Sequence, residues 1–249
     1  MQKGKTIIIL CLCLLIWEAL ARLVHNTILL AGPIDTFRAL LSMLQTPETY
    51  TSILATLLRI AGGFFLGACV GVLLATVSYR SKTIEQILYP FVQVVKSIPV
   101  ASFVIIVLIW AGSKNVSLII CALVVFPILY LNTLAGLKAT DGKMLEMARV
   151  FRIRGKELRR GIFYPQLFPF WKSACALALG MAWKSGVAAE VIGQPLLSMG
   201  NKMYRAKIYL DTAQVFGWTA LVILLSWLFE KAVLFALQKW GEKNGLTGE

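Results

Sequence analysis

One histidine, His25, serves a chain of 249 residues, and charged side chains make up only 15% of it. A lone imidazole cannot assemble a metal cluster or a proton relay, and His25 is read as a solvated residue at the mouth of the first apolar run. The five cysteines, at 11, 13, 69, 121 and 175, are an odd number set among apolar neighbours and suggest no disulfide framework. Cys11 and Cys13 have no histidine or carboxylate at ligand spacing, so they are read as packing groups rather than a metal site. No H-E-x-x-H, no set of Ser, His and Asp and no paired intramembrane aspartates occur, which leaves an embedded enzyme without visible chemistry. A G-x-x-x-x-G-K-[ST] phosphate loop is missing too. The nearest stretch, Gly136 to Lys143, is one residue too long and ends in Met144.

What the chain has in abundance is apolar surface. Hydrophobic residues reach 58%, and the mean hydropathy of +0.76 exceeds that of soluble domains. Uninterrupted stretches approach the roughly 20 residues that cross a bilayer. Six spans are expected: Thr6 to Val24, Ile53 to Val77, Leu88 to Ala111, Val116 to Leu134, about Phe170 to Ile192, and Val215 to Leu237. The first is read as a retained helix, because it outlasts a signal h-region of about 7 to 15 residues and no small-x-small site follows it. With the amino end inside, the inner segments collect Lys3, Lys5, Arg80, Lys82, the basic run from Lys138 to Lys172, Lys239 and Lys243. The outer ones hold Arg22, Arg38, Arg59, Lys114, Lys202, Arg205 and Lys207. This asymmetry places both termini in the cytoplasm and accounts for the net charge of +13 without nucleic acid. Locally, Lys202, Arg205 and Lys207 run against it, with a lone Asp211 nearby.

Two features leave alternatives open. Pro90, Lys96 and Pro99 interrupt the third span, which is read as an interfacial start and a kinked helix, or equally as two shorter helices broken between Lys96 and Pro99. Gly63, Gly67 and Gly71 form a small-xxx-small ridge that suits either packing within the chain or a dimer seam.

The loop from Ala135 to Trp171 is long and basic, and loops of that length usually carry function. Within it, Met144, Met147, Ala148 and Phe151 recur at helical spacing, with Glu146 and Arg149 turned aside. A short amphipathic helix is expected, its apolar face meeting either protein or the lipid surface.

Glu146, Ala148, Ile162 and Pro165 stand where the EAA motif of ABC importer permeases has its E-A-A, I and P. Met147, Arg152 and Tyr164 replace the motif's Ala, Gly and Leu, and Gly155 is expected to serve the turn in place of the missing glycine. Leu58-Arg59-Ile60, the Gly63 to Gly71 ridge, Lys96-Ser97-Ile98-Pro99, Trp110-Ala111-Gly112 and the stretch from Ala182 to Glu190 follow in the order such permeases show. Over residues 50 to 240 the chain resembles the nitrate, sulfonate and taurine branch of the binding-protein-dependent importers. The resemblance implies an all-α, polytopic membrane protein of about six helices with the type I ABC importer permease fold. It divides the chain into a first helix and external loop (1–50), a transmembrane domain (51–240) with a coupling loop at 135–171, and a cytoplasmic tail (241–249). It further implies a bacterial inner-membrane location, no cofactor and no catalysis by this chain. The implied partners are a separate ATP-binding subunit, a second permease subunit, either a second copy of this chain or a near relative, and an extracytoplasmic solute-binding protein. Glu146, Met147, Ala148, Arg149, Phe151, Gly155 and Pro165 would then couple the chain to the ATPase.

Ionisable residues inside spans are functional candidates, because each costs about 2.5 to 3.5 kcal/mol to insert. Glu18 and Arg59 are expected to pair or snorkel, and Glu230 with Lys231 to anchor the last helix at an interface. Lys184 and Glu190 lie six residues apart and need not pair. The resemblance puts the fifth span beside the pathway, with Lys184 as a pore-facing residue or an interhelical tie and Glu190 as a gating or capping group. Lys96 and Pro99 complete the pathway candidates. The expected solute is small and anionic or zwitterionic. The alternative is an ion-coupled secondary transporter that uses Lys184 and Glu190 in coupling.

Overall fold

A computed structural model describes residues 2–246, and every regular element among them is helical. In chain order these are α1 (Gln2–Val24), α2 (Pro33–Leu44), α3 (Pro47–Arg80), α4 (Lys82–Ser97), α5 (Val100–Ala111), α6 (Val116–Lys138), α7 (Gly142–Val150) and α8 (Gly155–Leu158). A π-helical turn, Arg159–Phe163, then leads into α9 (Tyr164–Gly193), α10 (Met199–Ile208) and α11 (Thr212–Lys243). Residues 247–249 of the expected tail lie outside the described residues. Its first part is structured: α11 runs to Lys243, and the buried Leu246 donates its N–H to the Gly241 carbonyl at 2.9 Å.

Four units are long and apolar enough to cross a membrane: α3, α6, the continuous run Gly155–Gly193, and α11. α4 and α5 would make a fifth span only as a pair bent by 101°. The single kinked helix is therefore replaced by its alternative, two helices broken at Ile98 and Pro99. Pro99 forces the preceding residue out of the helical region, and Ile98 accordingly sits at ψ 131°. Pro90, by contrast, is absorbed within α4. α5, with 12 residues, rises only about 18 Å and does not span the roughly 30 Å hydrocarbon layer by itself.

α6 is apolar around its whole circumference, the pattern of a helix enclosed by others, and α3 and α9 pack along two of its sides. Ile60 and Phe64 of α3, Cys121, Val125 and Leu129 of α6, and Ala178, Ala182 and Trp183 of α9 form the central core. The glycine ridge belongs to this core. A Cβ on Gly67 would lie 2.6 Å from the Ala122 carbonyl oxygen, and one on Gly71 would lie 2.7 Å from that of Phe126. The small-xxx-small series is thus an intrachain seam that brings the α3 and α6 backbones together. Cys121 sits within the same core, its Sγ donating to the Ala182 carbonyl at 3.2 Å, and Cys175 packs against it.

α1 lies to one side and turns Ile8, Ile9, Leu12 and Leu15 outward. It is tied down by the Trp17 indole N–H, which donates to the Ala31 carbonyl at 3.1 Å, and by an edge-to-face contact of Trp17 with Phe216. Glu18 pairs with Arg22 at 2.9 Å, one turn along.

Gly67→Ala should lower stability by about 1 to 3 kcal/mol, because the added methyl must push two backbones apart. A methyl added at Gly180 would meet nothing within 4 Å, so Gly180→Ala should leave the thermal transition in detergent unchanged or raised. Equal losses in both variants would show that the ridge is not the contact described.

Candidate coupling loop and pathway face

α7 is held at the end of the bundle where α3 and α6 finish and α9 begins. Asp141 caps it by accepting from the Lys143 N–H at 2.9 Å, while the Asp141 N–H donates to Gln166 Oε1 of α9, also at 2.9 Å. An ion pair between Lys138 and Glu85 joins the end of α6 to the start of α4. The apolar residues of α7 do not share one face as the spacing suggested. Ala148 is 2% exposed and turned into the protein, whereas Met144 (45%), Met147 (46%), Val150 (78%) and Phe151 (71%) project outward. Glu146 and Arg149 are exposed beside them. Ile162 is buried and Pro165 half-buried.

The turn after α7 settles what Arg152 does in place of glycine. Arg152 itself takes the left-handed conformation, φ 54°. The Arg152 N–H reaches the Arg149 carbonyl at 3.1 Å and the Ile153 N–H reaches that of Ala148 at 2.8 Å, a complete Schellman stop. An L-residue there costs about 1 to 2 kcal/mol. Gly155, φ 63°, makes a second left-handed step at the start of α8. Pro165 has no N–H to give to the preceding turn, and the hydrogen-bond register slips beside it: the Tyr164 N–H donates five residues back, to Arg159.

At mid-bundle, Lys96 in the last turn of α4 and Pro99 at the cap of α5 flank the break. A cavity of 270 Å³ lies against it, lined by Lys96, Ile98, Phe103, Pro127, Leu177 and Met181 among others. Leu177, Met181, Lys184 and Ala188 follow one another along a single exposed face of α9. Lys184 enters no ion pair among the described residues.

Glu190 is on the far end of α9 and is fully buried. Its Oε2 accepts from Thr56 Oγ1 at 2.8 Å and from the Gly200 N–H at 3.3 Å; its Oε1 accepts from Ser117 Oγ at 3.3 Å and from Arg59 Nη1 at 3.4 Å. Arg59 is thus paired rather than snorkelling. Its guanidinium also donates to the Leu196 and Leu197 carbonyls, both at 3.2 Å, and Leu197 is itself left-handed at φ 52°. Thr56 Oγ1 in turn accepts from the Met199 N–H at 3.0 Å. Thr56, Ser117 and Gly200 escaped the reading of the sequence. The signal available for Thr56 was the run Thr49, Ser52 and Thr56, which at helical spacing lies on the same face of α3 as the glycine ridge. Nearby, Lys202 pairs with Glu48 at 2.5 Å rather than with Asp211, which caps α11 by accepting from the Gln214 N–H. Lys231 lies over the Trp227 ring, 4.4 Å from its centroid.

An all-α bundle with several long apolar helices, a broken helix beside a cavity and a helical loop at one end has the architecture of a polytopic membrane protein. Residues 67–243 match the family described as binding-protein-dependent transport system inner membrane component, and the chain belongs to it. The chain is 27% identical over 204 residues to SsuC of Bacillus subtilis (strain 168), named for aliphatic sulfonates transport, covering 81% of this chain and 74% of that one. It is 31% identical over 142 residues to the nitrate import permease protein NrtB of Synechococcus elongatus, covering 56% of this chain and 50% of the other. A solved structure, that of an amino acid ABC transporter with histidines, shares the fold at a TM-score of 0.57 and 18% identity, covering 82% of this chain and 97% of that one. The chain is therefore an ABC-type permease subunit that forms a translocation pathway, and in this family ATP is hydrolysed by a separate subunit. That membership displaces the ion-coupled alternative, whose Glu190 is already engaged by Arg59.

Glu190→Ala should cost about 3 to 5 kcal/mol, since it strands the Arg59 charge in the bundle. Glu190→Gln retains acceptor and shape and should fall between it and the parent in detergent melting experiments. Parent-like melting of Glu190→Ala would show that the cluster does not hold these helices.

Proposed function

We propose that the chain is the membrane subunit of an ATP-driven bacterial importer, acting as a pair of identical copies for a small anionic or zwitterionic solute of the nitrate, sulfonate or taurine kind. The observation that carries ATP coupling is the outward apolar face of α7, Met144, Met147, Val150 and Phe151, held off the end of the bundle. Exposed apolar side chains on a helix outside the membrane call for a partner surface. An ATP-binding subunit with a groove for α7 supplies it: the methionines and Phe151 provide area, and Glu146 and Arg149 set register at the rim. Ala148, Gly155 and Pro165 act on the near side, packing α7 and turning the chain into α9. ATP-driven closure of two such partners would carry both α7 helices and rock the halves between outward and inward access.

The pathway in this reading runs along Leu177, Met181 and Lys184 of α9 and the break at Lys96 and Pro99, with the second copy opposite. Two lysines on that side, and the sulfonate and nitrate named for the relatives, support an anionic group on the solute. Glu190 acts by fixing the end of α9. α1 is the sixth span, with residues 1–50 forming it and the external loop, 51–240 the transmembrane domain, and 241–249 a cytoplasmic tail. Both termini and loop 135–171 are cytoplasmic. A polar cavity of 620 Å³ near Asp35, Arg38, Lys202 and Asp211 then faces outward, where a solute-binding protein would deliver.

Glu146→Arg should abolish ATP-driven uptake in cells or proteoliposomes while leaving membrane insertion and melting unchanged; uptake at the parent rate would remove the coupling role. A cysteine introduced at Arg154 of a cysteine-free variant should resist an impermeant thiol reagent added to intact cells and react in inverted vesicles. Labelling from outside would reverse the orientation.

A further inference from the structure

At the α7 end of the bundle, a further cavity of 280 Å³ opens between α3, α6 and the α8–α9 junction. Two cations stand at it: Arg80, the last residue of α3, and Arg159, the first of the π-helical turn. Neither joins an ion pair among the described residues. Arg159 uses only its Nε, which donates to the Gly155 carbonyl at 3.4 Å. The walls are aromatic. Tyr79 meets Phe163 edge to face with centroids 6.0 Å apart, and Tyr164 meets Trp171 at 5.9 Å. Trp171 is fixed by its indole N–H, which donates to Thr133 Oγ1 at 3.1 Å. The remaining lining includes Val72, Leu137 and Leu167, aliphatic side chains with nothing to offer a polar ligand.

Two arginines lining one cavity with aliphatic and aromatic side chains, near the ends of membrane-spanning helices, match an anionic amphiphile rather than a free anion. We propose that this cavity binds an anionic phospholipid. Its phosphate lies between Arg80 and Arg159, whose planar forks suit phosphate oxygens, and the first methylenes of an acyl chain rest on Val72, Leu137 and Leu167. The volume, just below the usual range of ligand sites, takes a headgroup and the top of a chain and leaves the rest in the bilayer. Such a lipid would brace the junction through which α7 is joined to α9. The leaflet follows from the orientation proposed above, whereas binding itself does not depend on that reading.

The test is native mass spectrometry of the purified full chain in mild detergent, titrated with dioctanoyl phosphatidylglycerol, dioctanoyl phosphatidylcholine and glycerol 1-phosphate. Neither transport nor ATPase activity is read, so failure here is distinct from failure of the importer reading. Phosphatidylglycerol should bind about tenfold or more tightly than phosphatidylcholine. The double variant Arg80→Gln with Arg159→Gln should lose that preference, while Lys239→Gln on α11 keeps it. The charge-conserving pair Arg80→Lys with Arg159→Lys should retain most of it, which guards against a folding defect in the first pair. Equal binding of the two lipids, an unchanged preference in the glutamine pair, or glycerol 1-phosphate competing as well as the lipid would each overturn the proposal.

Discussion

A carboxylate enclosed in a membrane bundle is tolerated only where donors surround it, and Glu190 is where the bundle's geometry is decided. Thr56 and Arg59 come from α3, Ser117 from the start of α6, and the Gly200 N–H from α10, so four helices meet on two oxygen atoms. Arg59 then holds the carbonyls of the strained segment at Leu196 and Leu197, and Thr56 holds the first amide of α10. Gly200 has no room for a side chain there: a Cβ would lie 2.6 Å from the Val191 nitrogen. The cluster fixes one end of α9 against the two helices it packs on.

The rest of the packing follows from that anchor. Below it, the α3 ridge of Gly63, Gly67 and Gly71 lets α6 lie backbone to backbone, where dispersion and close contact replace the hydrophobic drive that lipid does not supply. α9, 30 residues and about 45 Å long, runs from the π-helical turn that follows α7 and α8 to the Glu190 cluster. A helix fixed at one end and joined to α7 at the other is suited to carry displacement along the bundle. In the proposed importer, this rod converts movement at α7 into movement at the pathway face carrying Lys184. The break at Pro99 supplies a second element, since α5 is attached to α4 through only two non-helical residues.

Much of the architecture was legible in the chain. The long apolar runs gave α3, α6, α9 and α11 to within about six residues at each end, because a bilayer demands length and leaves little else to read. The Glu146 to Pro165 pattern located α7 and pointed to the family. What the pattern of α7 did not show was how its apolar residues divide. Helical periodicity groups Ala148 with Met144, Met147 and Phe151, but only contact with the bundle turns Ala148 inward and leaves Val150 out. Arg152 is similar. Its side chain argues against a turn, yet the Schellman hydrogen bonds of the surrounding chain hold it at φ 54°.

By itself the sequence determined the membrane class, the four long apolar spans α3, α6, α9 and α11, and the position of the helical loop that carries α7, since hydropathy, span length and a spaced motif are local properties of the chain. Tertiary structure alone decided that Glu190 belongs to Arg59 and not to Lys184, that the glycine ridge is an internal seam, and that the third apolar segment turns through 101°. Each depends on which surfaces meet. Residues 131 positions apart in the chain share a carboxylate, and no periodicity along one helix records which partner will be opposite.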